Sequence, residues 1–212
     1  MKLKIYSTIP VVVAGILPPN INLPKVLKKI EEMVPFYFVR NILDVIYVGQ
    51  FPEFAERDIN AFYKDGALFI TNEQSNEWDF LDDILHEMGH SLEMTLPSLA
   101  YTNELESEYI QKKLVLKKVL AEDGVKVPEA FMSLQFSQEV DDFLYKELGY
   151  EFLTAYTWRD WLDEYSVTSI SEYFATGFEK WIIGDSMVEK VCPALVRAFE
   201  RLEISLKEYY KG

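Results

Sequence analysis

The chain has 212 residues, 49% of them hydrophobic and 15% aromatic, enough for one domain with a substantial core and too apolar for a disordered or fibrous protein. Its 35 acidic and 21 basic residues leave a formal charge of −14, which repels phosphate backbones and argues against nucleic-acid binding. The single cysteine, Cys192, excludes an internal disulfide and every multi-cysteine metal site.

At the N-terminus two lysines precede an apolar run, much as in a signal peptide. Pro10 interrupts that run and "LPPN" makes a poor cleavage site, so residues 2 to 16 are expected to form a strand or strand pair of the mature fold. "NINLPKVLKKIEEMV" (20 to 34) has helical periodicity with Pro24 near its start. "ILDVIYVG" (42 to 49) reads as a buried strand, and "INAFYKDGALFIT" (59 to 71) as a hairpin turning at Asp65-Gly66. From residue 75 the pattern becomes helical. In "SNEWDFLDDILHEMGHSLEM" the side chains of Leu81, Ile84, Leu85, Met88 and Leu92 share one face, and Glu77, Asp79, Asp82 and Asp83 suit a helix N-terminus. Further helices are predicted at about 102–121, 129–147, 170–183 and 193–210. No stretch is long enough to form a membrane-spanning helix. The layout predicts one α+β domain, with a small mixed sheet in an N-terminal α/β lobe (about 1–93) and a helical C-terminal lobe (about 94–212).

The only two histidines are His86 and His90, with Glu87 between them. Positions i and i+4 of a helix face the same way, so two imidazoles can meet one ion. A catalytic zinc takes three protein ligands plus water, and a glutamate after the first histidine is placed to accept a proton from that water. This HExxH pattern is the signature of zinc metallopeptidases. The plain alternative is a histidine pair on an amphipathic helix with an ordinary exposed glutamate. That both histidines fall inside the pattern favours the metal.

Two carboxylates compete for third ligand. Glu104, separated from His90 by thirteen residues, lies in "TNELESEY" (102 to 109), which resembles the N-E-x-x-S-[DE] stretch of thermolysin-like enzymes. Glu172 lies in "EYSVTSISEYFATGFEKW" (164 to 181), where Ser169 and Glu172 also form S-x-x-E, a helix-capping pattern.

The stretch "ISEYFATGF" with its upstream tyrosine resembles the second motif of the anthrax lethal factor catalytic domain and of the bacterial Pro-Pro endopeptidases. "VCPALVRAFERL" (191 to 202) is similar to the Cys-Pro segment that opens the last helix of the latter. The resemblance implies a zincin-like fold in which Glu172 is the third zinc ligand. It implies further that Tyr165, seven residues earlier, donates to the oxyanion of the tetrahedral intermediate. One position departs, since Thr176 stands four after Glu172, where family members usually carry an acid. About thirty residues carry the motif likeness, and the rest is likeness of layout.

The expectation is therefore a zinc-dependent endopeptidase with one zinc ion per chain, held by His86, His90 and Glu172. Glu87 is its general base and Tyr165 its oxyanion donor, with a peptide or protein as substrate. By analogy with zinc peptidases, "GALFIT" (66 to 71) is expected to be a cleft-edge strand that an extended substrate pairs with. The alternative is a catalytically silent binding or inhibitory module with structural zinc. The compartment expected by default is the cytoplasm, with a secreted or delivered toxin-like enzyme as the alternative. The oligomeric state and the substrate sequence stay open.

Overall fold

A computed structural model describes residues 3–57 and 59–210; Lys2, the first residue of the expected N-terminal strand, lies outside them. The chain is α+β and groups into two compact units. One is drawn from Met1–Thr95 with Glu203–Gly212, the other from Leu96–Leu202.

The first unit holds a mixed five-stranded sheet of β1 (Leu3–Ile5), β2 (Ile9–Ala14), β3 (Val45–Gly49), β4 (Ala61–Lys64) and β5 (Ala67–Thr71), in the order β1-β2-β3-β5-β4. The outer pairs are antiparallel, and the two inner pairs, β2–β3 and β3–β5, are parallel. Pro10 sits in β2 ahead of Val11, where pairing with β3 begins, so its missing N–H costs the inner ladder nothing. The turn between β4 and β5 puts Asp65 at φ 48° and Gly66 at φ 83°, the two positive angles of the turn that the Asp-Gly pair suits.

Helices α1 (Leu23–Met33), α2 (Pro52–Arg57) and α3 (Glu77–Thr95) accompany the sheet. Asn22 caps α1 by accepting from the Lys25 N–H at 3.1 Å, and Pro24 occupies its first turn. Asn76 does the same for α3, accepting from the N–H groups of Trp78 and Asp79. The expected apolar face of α3, Leu81, Ile84, Leu85, Met88 and Leu92, is buried throughout.

The second unit is helical: α4 (Pro97–Ala100), α5 (Asn103–Glu122), α6 (Gln138–Asp142), α7 (Tyr150–Thr157), α8 (Ile170–Ile182), α9 (Ser186–Val191) and the start of α10 (Pro193–Tyr209). Short 3₁₀ turns lie at Glu129–Met132 and Tyr165–Val167, and α6 runs into a π-helical stretch at Phe143–Leu148. Its core includes Leu105, Tyr109, Phe131, Leu153, Phe174 and Phe178, each fully buried.

Two expectations are corrected. The helix expected over 129–147 is three pieces with extended backbone at Ser133 (φ −63°, ψ 144°). The strand expected at a cleft edge is interior, since β5 is paired on both sides, with β3 and with β4. The outer strands are β1 and β4. Among the described residues no helix is long and apolar enough to cross a membrane.

Candidate metal centre

Helix α3 brings the motif together locally. His86 and His90 project one turn apart, with ring centroids 4.8 Å from each other and planes at 77°. Glu87 is buried at 7% exposure although it carries a carboxylate.

His90 has a partner that the sequence reading did not single out. Its Nδ1 lies 2.8 Å from Glu93 Oε1, and Glu93 is itself only 4% exposed. A carboxylate can only accept, so the proton of neutral His90 belongs on Nδ1 and the lone pair on Nε2. Histidine ligands of metals are commonly oriented in this way by a carboxylate. The i, i+3 spacing of His90 and Glu93 is visible in the sequence, but an acidic residue late in a helix reads as surface until its burial is known.

One turn before His86, Asp83 accepts from Gln74 Nε2 at 2.6 Å. Burial pushes the Asp83 carboxyl up to about 6, against the opposing pull of that amide and of His86.

Glu172 and Tyr165 come from the second unit. Ser169 caps α8, its Oγ accepting from the Glu172 N–H at 3.1 Å, so half of the capping pattern is realised through the backbone. Tyr165 begins the preceding 3₁₀ turn. Its carbonyl accepts from Thr168 N at 3.0 Å and Thr168 Oγ1 at 2.6 Å, and its ring meets Tyr150 edge-on at 6.3 Å. The side chain is 37% exposed. Thr176, one turn beyond Glu172, is buried, with no hydrogen-bond partner for Oγ1 among the described residues.

Among the described residues one group could hold a metal ion. A ring nitrogen of His86, a ring nitrogen of His90 and a carboxylate oxygen of Glu172 lie within 4.8 Å of one another, and all three residues are half-buried. Ligand atoms around a tetrahedral zinc sit about 2.0–2.1 Å from it and about 3.4 Å apart. The donor set of two imidazoles and a carboxylate suits zinc and other first-row metals alike.

Glu104 is engaged elsewhere. It bridges Arg197 at 2.6 Å and Arg201 at 3.7 Å, and the hydrogen bond from Arg197 holds its carboxyl below the usual range.

No family model matches the chain, and neither does any curated protein or solved structure.

Proposed function

We propose that the protein is a zinc-dependent endopeptidase. The observation that carries this reading is the gathering of ligand atoms from His86, His90 and Glu172 within 4.8 Å of one another, with Glu87, the residue after His86, buried. The resemblance of the 165–178 stretch to lethal factor and the Pro-Pro endopeptidases is part of the same proposal.

His86, His90 and Glu172 hold the ion, and a bound zinc supplies Lewis-acid polarisation of a carbonyl and lowers the pKa of water to near 7. Glu87 takes the proton from the attacking water and returns it to the leaving amine. Its burial limits the water that its carboxylate meets. Tyr165 donates its hydroxyl to the oxygen on which charge grows, and removing one such donor typically costs about 10²–10³ in turnover. Glu93 keeps the His90 ring in one tautomer. The outer strand β4, not the interior β5, is where an extended peptide can add by main-chain pairing on that side of the sheet.

The test is metal content together with cleavage of a diverse peptide library for the wild type, Glu172→Ala, Glu104→Ala and Glu87→Gln. Glu172→Ala is expected to lose zinc and activity, and Glu104→Ala to keep both. Glu87→Gln is expected to keep about one zinc per chain and cut nothing. Loss of zinc in Glu104→Ala would overturn the ligand assignment. Zinc bound by a wild type that cuts no peptide would favour a silent binding or inhibitory module.

A further inference from the structure

The stretch "TNELESEY" (102–109) does not supply the metal ligand in the reading above, yet its last two residues reach both flanks of Glu172. Tyr109 Oη donates to the Val167 carbonyl at 2.8 Å, five residues before Glu172. Tyr109 is fully buried, and its ring meets Trp161 edge-on at 5.7 Å, which fixes where the hydroxyl points. Glu108 Oε1 accepts from Tyr173 Oη at 2.9 Å, on the residue directly after Glu172. Its other oxygen accepts from the Ala194 N–H at 2.8 Å, at the start of α10.

A third tie lies one turn along α5. Lys113 Nζ donates to the Ser133 carbonyl at 3.2 Å, and the next carbonyl, Leu134, accepts from the Ile170 N–H at 2.9 Å. Val167, Ile170 and Tyr173 are thus each fastened to α5 or to a loop that α5 holds. The segment between them carries Glu172, and Tyr165 opens the turn that ends at Val167.

We infer that Glu108 and Tyr109 are positioning residues that aim Glu172 and Tyr165. The inference rests on the zinc-peptidase reading. Its physical basis is that long-range hydrogen bonds from α5, or from a loop that α5 holds, end on Val167, Ile170 and Tyr173 around the first turn of α8, where Glu172 sits. Ligand and donor geometry must hold within about 0.5 Å, and such ties supply that precision. The capping bond from Ser169 sets the helix start, and the α5 tethers set where that start lies within its unit.

The test compares the full-length wild type with Tyr109→Phe, Glu108→Gln and, as control, Tyr63→Phe. Tyr63 also donates its hydroxyl to a carbonyl, that of Ile42 at 3.0 Å, but in the sheet unit. Zinc affinity is read by competition with a chromophoric chelator, and amide hydrogen exchange is read on the zinc-free chain. Tyr109→Phe and Glu108→Gln are expected to weaken zinc binding about 10-fold to 100-fold. They should speed exchange over residues 167–173 while residues 86–90 of α3 keep theirs, and should lower kcat more than they change KM. Tyr63→Phe should do none of these. If Tyr109→Phe and Tyr63→Phe affect zinc affinity and exchange over 167–173 alike, the positioning role is overturned while the peptidase reading stands. A wild type that neither binds zinc nor cuts peptides overturns the reading itself, and the positioning role with it.

Discussion

Glu93 shows how far single residues could be read in advance. The roles suggested for His86, Glu87 and His90 follow from spacing along one helix, which is local and so legible in the sequence. Glu93 is equally close in sequence, but only its burial and the 2.8 Å contact to His90 Nδ1 separate it from a surface acid. Glu93→Ala is expected to weaken zinc binding about 10-fold to 100-fold in a chelator competition, because His90 loses the group that fixes its tautomer. Affinity equal to wild type would show that the pairing is incidental.

Lys113 carries a second prediction at this scale. It is fully buried, with Tyr109 and Phe131 rings about its ammonium group at 5.1 Å each. Burial lowers its pKa from 10.5 to about 8. Below pH 8 both folded and unfolded chains are protonated there, and the folded one bears the desolvation. Between about 8 and 10.5 the unfolded chain binds the extra proton, so stability rises with pH by about 3 kcal/mol at most. Lys113→Met should remove that rise and increase stability below pH 8, as read from urea midpoints at pH 7 and pH 10. A midpoint that climbs equally in both proteins would place the effect elsewhere.

Among the elements, those whose ends are set by local chemistry were legible. Asn22 with Pro24 starts α1, Asp65-Gly66 turns the hairpin, and Ser169 starts α8. The 129–147 segment was not, because its interruption comes from distant partners. Lys113 and the Ile170 N–H hold the carbonyls of Ser133 and Leu134, which goes with extended backbone in a stretch where no Pro or Gly between Pro128 and Gly149 signals a break. The edge position of "GALFIT" failed for a related reason, since strand order depends on pairings that no local pattern encodes.

The inner parallel pair offers a test at the scale of elements. A Cβ added at Gly49 would lie 2.5 Å from the Ala14 carbonyl oxygen, and Ala14 is the residue with which Gly49 is in register. The obstacle is backbone, so it cannot rotate away. Gly49→Ala should destabilise the fold by about 1–3 kcal/mol in urea unfolding. An unchanged midpoint would mean that β2 and β3 are less closely apposed at this end.

For the molecule as a whole, the charge of −14 was fully legible and acts through solution conditions more than through contacts. Raising ionic strength from about 0.01 to 0.15 M shortens the screening length from about 30 to about 8 Å. The melting temperature should therefore rise over that range as self-repulsion fades. On the peptidase proposal, kcat/KM for a cationic peptide should fall over the same range as attraction fades. A melting temperature that drops with salt would place the balance with ion pairs such as Lys25–Glu77 and Arg197–Glu104.

The order of the sheet bears on how the chain avoids sticking to copies of itself. Its longer hydrophobic strands are interior, and the two outermost are only three and four residues long, each carrying an exposed lysine, Lys4 and Lys64. A neighbouring copy approaching either side finds a brief row of open N–H and C=O groups guarded by a charge that must be desolvated before pairing. Short length and a charge to desolvate thus limit what either margin recruits to a brief peptide segment, not a second sheet.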